Sequence, residues 1–187
     1  MKKTILTLII LFNFIITYSQ GEDKSLVDTF DKYRTFIEDK NYDKAFDYYL
    51  KDFLKYVPKK DLKKELEKLN NKPYFKYFVD NSKISYKSKI ISDANKKYAI
   101  IKYVSYTHIR FYENAPKEYI TERKEHWKNI YKENYKFNQE KNEIITHRKH
   151  KLITIFDKSW FFIPYKDKMK PYMNIWLPQN IVNELLN

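Results

Sequence analysis

The sequence predicts an α+β domain in which N-terminal helices pack on a curved antiparallel sheet. Two observations predict it. Apolar residues recur at steps of three and four as far as Leu69, the period of a helix with one buried face. From Ile84 onward they alternate or run together in β-rich stretches separated by Asp- and Asn-bearing turns.

The first helix is expected from Ser25, placed as its N-cap, with Leu26, Val27, Phe30, Tyr33, Phe36 and Ile37 on one face. After a break at Asp39-Lys40-Asn41, a second helix should bury Tyr42, Ala45, Phe46, Tyr49, Leu50, Phe53 and Val57. Pro58 stops that helix or opens the next, marked by Leu62, Leu66 and Leu69 and ended by Asn70-Asn71-Lys72-Pro73. Ile84, Tyr86, Ser88 and Ile90 then read as one face of a strand. With the run Tyr98–Tyr112 they form a hairpin across Asp93–Lys96, where Asn or Asp takes the left-handed position. Segment 114–142 reads either way. Its Tyr119, Ile120, Trp127, Ile130, Tyr131 and Tyr135 fit a helical stripe, while a strand with a long loop also accommodates it. A second hairpin follows, Ile144–Phe156 with Trp160–Tyr165. The tail carries Ile181, Val182, Leu185 and Leu186 at helical spacing. No repeat or linker divides residues 20–187, so one domain is expected there.

Composition removes several chemistries. The chain has 187 residues, a single glycine (Gly21) and no cysteine. Phosphate-cradling loops and nucleophile elbows need glycine where the backbone turns tightly or a ligand approaches it, so they are excluded. Without cysteine there are no disulfides, thiolate metal sites or lipid-bearing thiols. The formal charge is +13, yet 33 of the 37 bases are Lys and four are Arg. A Lys bias beside abundant Asn, Ile, Tyr and Phe matches drift toward A/T-rich codons, and it offers few guanidinium forks for phosphate.

Residues 1–19 have the layout of a signal peptide: Lys2 and Lys3, an apolar run from Ile5 to Ile16, then Thr17-Tyr18-Ser19 before Gln20. The mature chain is therefore expected in a periplasm or outside the cell. It would be soluble, not a lipoprotein, and without a membrane span.

The element order resembles the nuclear-transport-factor-2-like (cone-fold, SnoaL-like) superfamily. The run Ile153–Ile163, with Asp157-Lys158-Ser159-Trp160 at its turn, is similar to a strand–turn–Trp–strand element common there. Lys158 and Ser159 stand where that turn usually carries Gly. Leu177-Pro178 before a short helix is similar to exported members. The resemblance implies a cone with an apolar pocket between helices and sheet, a binding, accessory or isomerase/dehydratase/cyclase role, and a homodimer through the open sheet.

Aromatic residues are the abundant resource. Tyr33, Tyr49, Phe53, Tyr103, Trp127 and Trp160, with His108 among them, are candidates to line a pocket for a small apolar or aromatic ligand. His108 is the candidate general base, sharing a strand face with Tyr106 and Arg110. His147 and His150 should point to opposite faces of one strand, as exposed basic-strand residues, and no helical metal signature accompanies them. Residues 55–110 hold fifteen bases and five acids, so Lys63, Lys64, Lys87 and Lys89 are the candidate polyanion surface. No cofactor, metal or sequence-specific nucleic-acid motif is present. The expected function is a non-enzymatic exported ligand-binding or accessory domain. The alternatives are a His108 enzyme of the isomerase, dehydratase or cyclase type, and a basic surface module.

Overall fold

The computed structural model describes residue 21 and residues 23–186, so the expected leader at 1–19 lies outside the described residues. A first helix, α1, covers 23–38 and reaches upstream of Ser25. Ser25 is thus not a cap. Its hydroxyl accepts a hydrogen bond from Trp160 Nε1 at 2.8 Å, tying α1 to the sheet.

The helix expected over 42–57 is two helices, α2 (Tyr42–Phe46) and α3 (Lys51–Tyr56). Strand pairing interrupts it. Phe162 N donates to Tyr48 O at 2.7 Å, and Leu50 N donates to Phe162 O at 3.1 Å. Tyr49 thereby forms a parallel bridge with Phe162, and two amides that an unbroken helix would have used internally are satisfied by the sheet. Pro58 opens α4 (Lys59–Asn70) as its N-cap residue, its missing N–H costing nothing there.

Six antiparallel strands form one sheet: β1 (Phe75–Lys87), β2 (Ile91–Asp93), β3 (Lys96–Phe111), β4 (Tyr135–Asn138), β5 (Glu143–Asp157) and β6 (Ser159–Tyr165). Their order is β1-β3-β5-β4, with β2 also on β3 and β6 also on β5. β1 starts nine residues before the expected Ile84. Register shifts at Asp80/Lys83 and Ile84/Tyr86 pair Ile84 with Tyr103 but Tyr86 with Lys102, so these two residues do not share the expected face. At the β2–β3 turn the left-handed residue is Ala94 (φ 51°) rather than Asn or Asp, because it is the first of two loop residues between the paired Asp93 and Lys96. Lys158 (φ 65°) holds the same conformation between β5 and β6.

The ambiguous segment resolves into helix α5 (Lys117–Tyr131), a short 3₁₀ turn and β4. A 3₁₀ stretch (Asp167–Ile175) and helix α6 (Gln179–Leu186) close the chain.

The unbroken β3–β5 register, with Tyr103 opposite His150 and His108 opposite Ile145, assigns side chains to two faces. Ala99, Ile101, Tyr103, Thr107 and Ile109 define a front face; Ile100, Lys102, Tyr106, His108 and Arg110 define a back face. On the front, Phe30 of α1 meets Tyr103 with ring centroids 5.1 Å apart, and Tyr33 meets Phe162 at 5.2 Å. Further along the same face, Tyr119 of α5 meets Phe111 at 6.4 Å, and the Arg148 guanidinium lies over Trp127 and Tyr131. On the back, Leu185 and Leu186 of α6 border a cleft shared with Ile100, Lys102 and Lys151. Two buried clusters result. The larger joins α1–α3, the C-terminal segment and the β3–β5–β6 end of the sheet; the smaller joins Phe75, Tyr77, Ile109, Phe111, Ala115 and Ile144 beneath α5. Among the described residues, no helix is long and apolar enough to cross a membrane.

Candidate functional site

Three tyrosines from three elements converge on the front face: Tyr33 from α1, Tyr49 from the break between α2 and α3, and Tyr103 from β3. Tyr33 and Tyr49 hydroxyls are 3.2 Å apart, and Tyr33 also interacts with the Tyr103 hydroxyl. The helix break is what delivers Tyr49, since its backbone is fixed by Phe162 rather than by a helix. Burial pushes all three phenols above their ordinary range; Tyr49 and Tyr103 add to it at Tyr33, while the hydrogen bond with Tyr33 works against it at Tyr49 and Tyr103. All three therefore stay protonated, as donor-acceptors, through the physiological range.

Beside them His150 stacks on Tyr103, with centroids 4.6 Å apart and planes within 17°. Its Nε2 is 2.9 Å from Ser105 Oγ. Burial, and then the charges of Arg148 and Lys166, pull its pKa down from 6.5 to about 4, so the ring is neutral at neutral pH. His150 is thus a half-buried site residue rather than the exposed strand residue expected. His147 does face the other way, stacked on Tyr106 at 5.1 Å.

Tyr33, Tyr49, Tyr103 and His150 line an open cleft with a volume of about 660 Å³, together with Leu152, Pro164, the Lys166–Met169 turn and the strand residues Lys102, Lys149 and Lys151. The other aromatic candidates stand outside its wall. Phe53 packs behind Tyr49 at 5.9 Å, Trp160 is buried against Phe156 and Ser25, and Trp127 sits on α5 stacked with Tyr131.

His108 is on the back face, away from this cleft, and its neighbours are carboxylates that sequence reasoning did not connect to it. Nε2 is 3.0 Å from Asp80 Oδ1 on β1; Nδ1 is 3.3 Å from Glu143 Oε2 on β5, an ion-pair contact rather than an aligned hydrogen bond. Glu143 is only 2% exposed and also accepts from Arg110 Nε and Nη2, each at 3.0 Å. Phe78 closes the ring from one side at 4.6 Å with planes within 7°. A ring with a carboxylate at each nitrogen is a strut across three strands. Its one hydrogen bond, to Asp80, and the carboxylate contact of Glu143 both hold it within the sheet.

No family model, curated protein or solved structure matches this chain. The residues alone carry the reading.

The expected basic surface is partly neutralised. Lys63 pairs with Asp43 at 2.6 Å and Lys87 with Asp23 at 2.6 Å, while Lys64 and Lys89 are exposed. Among the described residues no cluster of His, Asp and Glu is arranged to hold a metal ion.

Proposed function

We propose that this is an exported, non-enzymatic binding or accessory domain that holds a small aromatic or apolar ligand in the front-face cleft. The observation that carries the reading is the convergence of Tyr33, Tyr49 and Tyr103 hydroxyls beside an open space of about 660 Å³ walled by aromatic rings and lysines. Such a space suits a ligand with an apolar body and one polar end, the rings covering the body and the hydroxyls fixing the end. A neutral His150 flanked by Arg148 and Lys166 favours an anionic end, such as a carboxylate, over a cationic one. Helices lying over the front face beside this cleft support a cone-like arrangement of the nuclear-transport-factor-2-like kind. Export rests on the layout of residues 1–19. An acid–base enzyme using His108 is the weaker reading, since both ring nitrogens of His108 face carboxylates.

Ligand-detected NMR and thermal shift with planar aromatic carboxylates, set against their neutral amides, test the reading. Binding is expected from the carboxylates, with Tyr103→Phe weakening it about three- to tenfold through loss of one hydrogen bond. Carboxylates that bind equally well to Tyr103→Phe, or no binding by any member of the series, would overturn it.

A further inference from the structure

Taking the two ends of each face as quarters, helices pack on both front quarters and α6 borders one back quarter. In the remaining quarter, on the back face, Tyr106 is 40% exposed. Its register places Phe78, Val104, Tyr106, His108, Ile145 and His147 at the centre, all of them partly exposed. Exposed bases surround them: Lys76 and Arg110 at one end, Lys83 on the β1 side, Lys149 and Lys136 on the β5 and β4 side. The two acids of this quarter, Asp80 and Glu143, are already engaged by His108, and Glu143 also by Arg110. Lys83, Lys136 and Lys149 form no ion pair among the described residues.

We infer that this quarter is a docking surface for an acidic, amphipathic segment of a partner protein. An apolar and aromatic centre inside a charged rim is the anatomy of a protein interface. The sign of the rim requires acidic groups around the partner's apolar residues. A second copy of this chain fits poorly, because an isologous pairing sets the same basic rim against itself. Single-stranded nucleic acid fits poorly as well. Base stacking needs free ring faces. The Phe78 ring already carries His108, with Lys76 5.8 Å and Arg110 5.3 Å from its centroid, and one face of Tyr106 carries His147.

The test uses the full chain and a short synthetic peptide alternating Glu with Leu and Phe. Polyglutamate, heparin and a single-stranded DNA oligonucleotide serve as charge-only or stacking competitors. The expected result is peptide binding that perturbs the NMR signals of Tyr106, Ile145 and Lys136 and weakens with added salt. The three competitors should bind at least about tenfold more weakly. Tyr106→Ser and Lys136→Glu, both at exposed positions outside the tyrosine cleft, should each cost about tenfold in peptide affinity, and Lys64→Glu on α4 should cost nothing. Circular dichroism on each variant separates loss of binding from loss of fold. Heparin or DNA binding as tightly as the peptide, with Tyr106→Ser unaffected, would make this a plain polyanion surface and overturn the inference. So would perturbations centred on Lys64, or no peptide binding at all.

Discussion

Phe162→Ala should destabilise the domain by about 3–5 kcal/mol, the range for deleting a fully buried aromatic ring. For a chain of this size that lowers the midpoint of thermal unfolding by roughly 6–20 °C. The ring is 0% exposed and packs against Tyr33 at 5.2 Å and Tyr48 at 6.3 Å. It sits at the joint where the chain between α2 and α3 bridges to β6. Alanine keeps that backbone bridge and removes the ring, so the measurement isolates side-chain packing. Phe162→Leu, which refills part of the volume, should cost less than half as much. Urea or thermal unfolding followed by circular dichroism checks both variants. A loss below about 1 kcal/mol for Phe162→Ala would mean that Tyr33 and Tyr48 close the gap and the joint is not a packing hub.

Acid should weaken the fold through His150. The unfolded imidazole takes its proton near pH 6.5, while the folded one waits until about pH 4, because burial and then Arg148 and Lys166 oppose the charge. Between those values the unfolded state binds more protons, so its population grows as pH falls. The stabilisation is complete above pH 6.5 and is lost progressively on the way down to about pH 4. Its full size is up to about 3 kcal/mol, at 1.36 kcal/mol per pKa unit. In His150→Phe, which keeps a ring against Tyr103, stability should lose most of its slope across this window. The unpaired Ser105 hydroxyl left behind shifts stability equally at every pH and leaves the slope alone. Equal slopes in the variant and the parent would remove His150 from the account.

The helical half was legible because steps of three and four along 26–37 and 42–57 are local properties of the sequence. The break at Tyr48–Leu50 was not, because Phe162 imposes it from far downstream. The start of β1 is not legible because its bulges reverse side-chain parity between Asp80 and Tyr86, which breaks the alternation that marks a strand. Tyr33, Tyr49 and Tyr103 were reachable from aromatic content on the elements expected to face each other. His108 was grouped with them although it stands five residues from Tyr103 on one strand, an odd separation that points the two to opposite faces. That signal was available. The partners of His108 and His150 were not, since Asp80, Glu143 and Tyr103 reach them through strand register, which no spacing within one segment encodes.

The two buried clusters share only the long strands β1, β3 and β5, and the smaller one is capped by a helix, α5, with no fully buried residue. A helix that buries so little is expected to contribute less to global stability than the strands beneath it. Native-state hydrogen exchange should therefore resolve two opening units. Amides of α5 and β4 should exchange through a low-energy local opening, and those of β3 from Ala99 to Tyr103 only through global unfolding. Equal protection in both regions would make the domain a single cooperative unit. If the cap opens alone, the domain has a hinged upper storey on a rigid base, and the tyrosine cleft belongs to the base.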